Sequence, residues 1–229
     1  MKIVFLNIWN CEVQQNIEEF LKEQSEDTDV FCFQEAYEKT KWLCKDILSE
    51  YKLISDYKYI GNTEDFPQAI YIRKGIEILS YKTFLKNASS MGLALHTQLK
   101  YKDKTINICN VHGVALPGDK LDNESRIGQS QGIIDEYKDL KGMKIIGGDF
   151  NLDAKTKSIG LFEKNGYVDL IKKYKIPTTR NRFVWDRYPI NKQYFSDYVF
   201  VNPSVPVTEF IVPNIEISDH LPMILSIDL

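Results

Sequence analysis

Polar residues stand directly after apolar runs of strand length at several points in the sequence. These residues are Asn7, Glu35, His112, Asp149 and Asn151. Taken singly, each is explained by a solvated strand end or a turn, because a buried polar group needs a partner. Strand ends converge in layered folds, however, so the set predicts a single polar cluster. The glycine pair before Asp149 fits a close approach of substrate or backbone, although a tight bend is equally permitted.

A carboxylate and an imidazole stand side by side in Asp219-His220, just before the last apolar run. Oxygen donors from Glu35, Asp149, Asn151 and Asp219 are the ligands that Mg²⁺ or Mn²⁺ prefers, and no set of soft ligands competes with them. The residues therefore predict a hard divalent cation, with His220 reaching towards a phosphate group.

The elements that must position these residues follow from hydrophobic periodicity. Apolar residues at helical spacing predict helices at about 12–25, 38–50, 121–140 and 158–165. Shorter apolar runs predict strands at 2–9, 30–33, 69–72, 76–79, 105–109 and 144–146, and then at about 197–202, 207–212 and 221–228. His96 lies in an alternating run and is expected on a strand face. No repeat or linker interrupts the pattern, so we expect one domain over 1–229, with helices outside two packed, mostly antiparallel sheets.

Composition limits the class of protein more than the substrate. A net charge of −3 argues against a surface that coats nucleic acid, although a local basic groove stays possible. The sequence shows no charged leader and no long apolar stretch, which predicts no export signal and no membrane segment. Four scattered cysteines favour reduced core thiols over a zinc site. We therefore expect a cytoplasmic protein, and a monomer.

Six short motifs occur in an order that resembles the endonuclease/exonuclease/phosphatase family. They are Leu6-Asn7, Gln34-Glu35, Asn110-Val111-His112, Gly148-Asp149-Phe150-Asn151, Ser196-Asp197-Tyr198 and Ser218-Asp219-His220. Each motif is weak alone, but together they run from residue 7 to residue 220. The resemblance implies a four-layered α/β sandwich, with two packed β-sheets flanked by helices. It also implies metal-dependent hydrolysis of a phosphate ester by an attacking water.

The resemblance also implies a set of metal ligands. Glu35 would be the principal ligand, with Asn7 beside it and Asp219 near the same site. Some nuclease members of the family carry an Asp two residues after the first-strand Asn, where this sequence has Trp9. That departure favours a site for one ion.

The remaining motif residues would carry out the chemistry. The resemblance implies that Asp149 orients or deprotonates the attacking water and that Asn151 holds that water or a phosphoryl oxygen. His112 and His220 would stabilise charge on the phosphoryl oxygens. Asp197 would fix the tautomer of His220 by a hydrogen bond.

Two segments are candidates for substrate binding. The stretch 172–197 holds seven basic and two acidic residues interleaved with aromatic ones, and Arg182 and Trp185 are its candidate contacts to phosphate and base. An aromatic-anchored surface loop explains the stretch equally well. Glu124, Arg126 and Gln129 resemble a family pattern that suggests Arg126 as a further contact, although local capping and pairing also explain it.

The sequence thus predicts a phosphodiesterase of the nuclease or DNA-end-processing type, with a phosphate-ester substrate that includes nucleic acid among its candidates. The alternative is a phosphomonoesterase or a lipid-headgroup phosphoesterase of the inositol phosphate or sphingomyelinase kind. A non-catalytic binding module of the same fold is the third class. It is disfavoured because an inert relative has no need to keep all the residues of the cluster.

Overall fold

A computed structural model describes residues 1–60, 63–86 and 90–229 of the chain. The strands are β1 (Lys2–Asn7), β2 (Val30–Gln34), β3 (Tyr51–Ile60), β4 (Thr63–Arg73), β5 (Glu77–Phe84), β6 (Leu93–Tyr101), β7 (Lys104–His112), β8 (Met143–Asp149), β9 (Val168–Asp169), β10 (Asp197–Val201), β11 (Val207–Ile211) and β12 (Met223–Ile227). The helices are α1 (Gln14–Gln24), α2 (Glu38–Ile47), α3 (Glu124–Tyr137), α4 (Lys157–Lys164), α5 (Leu170–Lys173) and α6 (Arg182–Arg187).

Two six-stranded sheets organise the described part of the chain. The first has the order β11-β12-β1-β2-β4-β3, and the second has the order β5-β6-β7-β8-β10-β9. Each sheet contains one parallel pair at its centre, β1 with β2 and β7 with β8, and antiparallel pairs outside it. The predicted sandwich of mostly antiparallel sheets with flanking helices is confirmed.

The two sheets pack face to face through their central strands. A Cβ at Gly147 on β8 would lie 2.9 Å from ring atoms of Phe5 on β1, so only glycine allows this approach. Gln34 donates to the Asn110 side-chain oxygen at 2.5 Å, and the Asn110 amide donates to the carbonyl of Phe33 at 2.9 Å. These bonds satisfy polar groups that are fully buried between the sheets.

The predicted elements recur in the structure with shifted ends. The first strand ends at Asn7 rather than 9, because Trp9, Asn10 and Cys11 adopt positive φ angles that no strand permits. The third helix begins at Glu124 rather than 121, where the Asn123 side chain caps the backbone of the first turn. The last strand begins at Met223 rather than 221, just after Pro222, which has no amide hydrogen to donate.

Several further predictions can be compared with the structure. His96 lies buried on β6 as expected, and all four cysteines are free and buried. In the segments that the structure describes, no helix is long and apolar enough to cross a bilayer. The short helices α5 and α6 and the strand β3 were not predicted, because their apolar residues are too few or too irregular to give a clear period.

Candidate active site

The polar cluster forms where the central strands of both sheets end. The parallel strands β1, β2, β7 and β8 bring Asn7, Glu35, His112 and Asp149 to one edge. Strand β10 runs antiparallel to β8 and therefore starts at the same edge, where its first residue Asp197 pairs in register with Asp149. The topology thus explains why residues far apart in sequence meet.

Asp149 lies at the centre of this cluster and is 2% exposed. Its Oδ1 accepts hydrogen bonds from the Asn151 backbone at 2.8 Å and from the Ser196 hydroxyl at 2.5 Å. Its Oδ2 accepts from the Asn7 amide nitrogen at 3.1 Å and lies 3.7 Å from Nε2 of His220. One oxygen is therefore fixed by the protein, and the other faces the remaining site residues.

His220 is held between a carboxylate and a guanidinium. Its Nδ1 lies 2.9 Å from Oδ1 of Asp197, and its Nε2 lies 2.6 Å from Nη1 of Arg180. A guanidinium can only donate, so Nε2 is the acceptor of a neutral ring and Nδ1 carries the hydrogen to Asp197. Arg180 also donates to Oδ2 of Asp219 at 2.9 Å. The predicted contact between Asp197 and His220 is therefore present.

Glu35 is the half-buried carboxylate of the cluster and occupies an unusual backbone position. Its φ angle of 54° turns the chain sharply after β2. Its Oε1 accepts from the amide nitrogen of Asn7 at 3.0 Å, and the same nitrogen donates to Asp149. Asn7 thus links the two carboxylates, while its oxygen accepts from the backbone of Trp9 at 3.1 Å.

Asn151 and His112 complete the predicted set. The Asn151 amide donates to the carbonyl of Gly113 at 2.9 Å, and its oxygen accepts a hydrogen bond from the ammonium of Lys120. His112 is 7% exposed and packs edge-on against Phe66, and among the described residues its Nδ1 has no hydrogen-bond partner. Such an orphan nitrogen is uncommon in a buried ring and suits a group that meets a ligand.

The pKa shifts of the cluster follow from burial and neighbouring charge. Burial alone would raise the pKa of Asp149, but interactions with its basic neighbours, first His220 and then Lys120, outweigh burial and lower it. Burial and then the Asp149 carboxylate raise the pKa of Asp197. Burial and then the Arg180 guanidinium lower the pKa of His220 to about 4. Of the two buried carboxyl groups Asp149 and Asp197, Asp149 therefore loses its proton more readily, and it lies beside an imidazole whose pKa is lowered.

The donor set suits a hard divalent cation. Glu35, Asp149 and Asp219 offer carboxylate oxygens around the Asn7 amide and the His220 ring. Ligand atoms of Asp149, Asp197 and His220 also lie within 4.8 Å of one another, which would satisfy a metal by distance alone. Both nitrogens of His220 are already engaged, however, one by Asp197 and the other by Arg180, and so neither is free to ligate a metal. The carboxylate side of the cluster therefore fits a cation better than that trio does.

The three residues predicted to bind substrate lie apart from this cluster. Arg126 is fully buried, and its guanidinium donates to Asp119 at 2.9 Å and to carbonyls of the loop before α3. Arg182 is exposed and pairs with Glu216, with Nη2 to Oε2 at 2.6 Å. The Trp185 indole donates to the carbonyl of Gln193 at 2.9 Å. In the structure each of them supports its own loop.

A cavity of about 430 Å³ opens beside the cluster. It lies between the loop that follows β7 and the segment around α6, and Lys120 and Arg180 line it. Neither residue was assigned a role from the sequence, although Arg180 lies in the predicted substrate stretch 172–197, because a lysine in a loop and an arginine in a basic stretch have many possible positions. Ser196 stands in one of the six motifs, but no role was predicted for its hydroxyl. Only the bridge between Arg180 and His220, visible in three dimensions, identifies that arginine.

The sequence profile of the endonuclease/exonuclease/phosphatase family matches residues 6–220. The chain belongs to this family. Members of the family hydrolyse phosphate esters in metal-dependent reactions, and the chain is a phosphoester-hydrolysing enzyme. Among curated proteins, none matches the sequence significantly.

Solved structures of similar fold come from bacteria and from vertebrates. A family protein from Bacteroides vulgatus superposes with a TM-score of 0.81 at 20% identity, covering 100% of this chain and 98% of that one. The mannosyl-6-phosphatase of Bacteroides thetaiotaomicron gives 0.79 at 20% identity, covering 100% of both chains. TDP2 of D. rerio, complexed with a single-stranded DNA product, gives 0.76 at 14% identity, covering 100% of this chain and 99% of that one. These similarities show that the chain has the same fold as these proteins.

Proposed function

We propose that this enzyme is a divalent-metal-dependent phosphoesterase in which a water molecule attacks phosphorus directly, in line with the leaving group. The observation that carries the proposal is the environment of Asp149. This buried carboxylate has a lowered pKa, one oxygen tied down and the other turned towards the site. An ionised, oriented carboxylate of this kind can position a water and take up its proton.

Each residue of the cluster has a place in this reaction. Asp149 orients the water, and the neighbouring Asn151 amide holds the water or a phosphoryl oxygen. His112 stabilises charge that develops on the phosphoryl oxygens, and His220 does so through the Arg180 guanidinium that donates to its Nε2. The hydrogen bond from His220 to Asp197 at 2.9 Å keeps the ring in one orientation and one tautomer.

Glu35 and Asp219 are the proposed ligands for Mg²⁺ or Mn²⁺. Asn7 donates to both Glu35 and Asp149, and so it links the proposed ligand Glu35 to the water-orienting carboxylate. When bound, the ion supplies Lewis-acid polarisation of a phosphoryl oxygen. The half-buried position of Glu35 leaves room for the waters that such ions retain.

The sequence leaves two classes of substrate as candidates. A nucleic-acid phosphodiester is supported by the basic, aromatic stretch 172–197 and by the fold shared with TDP2, which has been seen with a single-stranded DNA product. A small phosphate ester is supported by the cavity beside the cluster and by the fold shared with a mannosyl-6-phosphatase. The pairing of Arg182 with Glu216 leaves less free positive charge for a strand, so the geometry favours the small ester.

The test is turnover of a substrate panel with Mg²⁺ or Mn²⁺ and with EDTA. The panel comprises DNA, RNA, 5′-tyrosyl DNA, inositol phosphates, mannose 6-phosphate, p-nitrophenyl phosphate and sphingomyelin. We expect that EDTA abolishes activity and that Asp149→Ala and His220→Ala each lower kcat by roughly 100- to 1000-fold. Asp135→Asn, on the exposed face of α3, is the control and keeps full activity. Wild-type rates in both site variants would contradict the proposed roles.

A further inference from the structure

We infer that Lys120 and Arg180 form an anion seat at the floor of the cavity beside the catalytic cluster, and that the cavity holds the alcohol portion of a compact phosphate ester. This inference rests on the proposed phosphoesterase function and adds the class of substrate to it. The seat binds the phosphate group. The walls above it accept a neutral, partly apolar group no larger than a nucleoside or a monosaccharide.

The first observation is that both cations are buried and still have hydrogen-bond donors to spare. Lys120 is 7% exposed and Arg180 is 5% exposed. Within the described residues, the three N–H groups of Lys120 have one acceptor, the Asn151 side chain. Arg180 uses both Nη atoms, but its Nε has no partner. Unused donors on buried cations are unfavourable unless an anion or water meets them.

The second observation is where these donors lie. Lys120 contacts Asn151, which follows the water-orienting Asp149, and Arg180 contacts Asp219 and His220 on the opposite side. Both residues also line the cavity. A phosphate group between them would therefore face the catalytic residues on one side and the cavity on the other.

The third observation is the chemistry of the walls. Leu116, Val184 and Tyr188 provide apolar and aromatic surface, and Asn191 and Gln193 provide amides. Within the described residues, Lys120 and Arg180 are the only charged residues that line the cavity, and both lie next to the cluster. A volume of about 430 Å³ accommodates one ring system. These walls suit a neutral organic group rather than a polyanionic strand.

Titration of inorganic phosphate tests the seat without requiring turnover. Isothermal calorimetry with Mg²⁺ present compares the wild type with Lys120→Gln, Lys120→Arg and Lys155→Gln. We expect Lys120→Gln to raise the Kd for phosphate at least tenfold, because a charge-assisted hydrogen bond is lost. Lys120→Arg restores most of the affinity, and Lys155→Gln, at an exposed position, leaves it unchanged. Circular dichroism checks that each variant is folded.

A second variant tests the cavity. Ala115 is an exposed residue of its lining, so Ala115→Trp narrows the cavity without disturbing the core. We expect kcat/KM for p-nitrophenyl phosphate to fall at least tenfold, mainly through KM, and the Kd for inorganic phosphate to stay within twofold. Ser204→Trp, at the far end of β10, is the matched control and changes neither value.

The outcomes separate the two proposals. Phosphate binding that does not depend on Lys120, or an Ala115→Trp variant with an unchanged KM, overturns the anion seat and the cavity assignment even if the enzyme is active. Lys120-dependent phosphate binding without metal-dependent hydrolysis of any ester overturns the proposed function and leaves the seat standing. Hydrolysis of oligonucleotides with a kcat/KM above that of every compact ester overturns the substrate class.

Discussion

At the scale of single residues, burial decides which titrating groups make the stability of the protein depend on pH. His96 lies on β6, 3% exposed, with Nδ1 at 2.5 Å from the hydroxyl of Tyr137. Burial, with Lys82 nearby, lowers its pKa from 6.5 to about 4. The ring therefore stays neutral in the folded protein at pH values where it is protonated in the unfolded chain.

This shift predicts a loss of stability in acid. Between pH 6.5 and about pH 4 the unfolded chain binds a proton that the folded chain does not, so the free energy of unfolding falls as the pH falls. We expect His96 to contribute about 2–3 kcal/mol to the difference between pH 7 and pH 4.5. Urea unfolding of the wild type and of His96→Gln at both pH values isolates the contribution of His96 to the free energy of unfolding. An equal pH dependence in the two proteins would contradict it.

The site residues also show how much of the site could be predicted from the sequence. The predicted cluster was drawn from residue type and position at strand ends, and the structure brings Asn7, Glu35, Asp149, Asn151 and His220 together. Lys120 and Arg180 could not be recognised in this way, because their role depends on loops that fold back over the strand ends. Arg182 is only two residues from Arg180, yet it faces Glu216 at the surface.

At the scale of elements, the central strands need glycine where the two sheets meet the site. Gly148 on β8 has a φ angle of +131°, and a Cβ there would lie 2.3 Å from the carbonyl oxygen of Val111 on β7. Gly160, within α4, has no neighbouring atom within 4 Å of such a Cβ. An alanine side chain would therefore clash with the backbone at position 148 but would have free space at position 160.

We expect Gly148→Ala to lower the free energy of unfolding by about 2–3 kcal/mol, because the backbone conformation and the contact both oppose a side chain. Gly160→Ala should raise it by about 0.5–1 kcal/mol, because alanine favours the helix. Chemical denaturation of the two variants provides the measurement. A neutral Gly148→Ala would mean that β7 and β8 can separate without penalty.

Elements with a clear period were predictable and the others were not. The strand β2 begins with the continuous apolar run 30–33, β8 carries the apolar pair Ile145-Ile146 before its glycines, and α3 carries its apolar residues at helical spacing. Strand β3 alternates irregularly and contains a register shift between Asp56 and Lys58, which conceals the period. Helix α6 has six residues and one buried apolar side chain, Val184, so its position depends on tertiary contacts.

At the scale of the whole molecule, the four thiols report on global unfolding. Burial raises the pKa of each cysteine, that of Cys44 to about 12, and all four are enclosed in the core. A thiol reacts through its thiolate, so neither access nor ionisation favours reaction in the folded state.

We expect iodoacetamide at pH 8 to leave the native protein unlabelled over a period in which the urea-unfolded protein is labelled at all four positions. Mass spectrometry of timed samples measures the number of labels. Native samples should pass directly from no label to four, because exposure requires the core to open. Accumulation of a singly labelled native species would show that one thiol is reached by local opening.

The site combines two kinds of structure, with the reacting groups at strand ends and the cavity on two loops. The strand ends are fixed by pairing within sheets and by packing between them. The loop after β7 is instead held by Arg126 of α3, and the segment around α6 is held by Asn181, which donates to the carbonyl of Ser218. Insertions or exchanges in these loops can therefore alter which alcohol is accepted while the hydrolytic residues keep their spacing. In this architecture a change of substrate preference does not require the catalytic centre to be rebuilt.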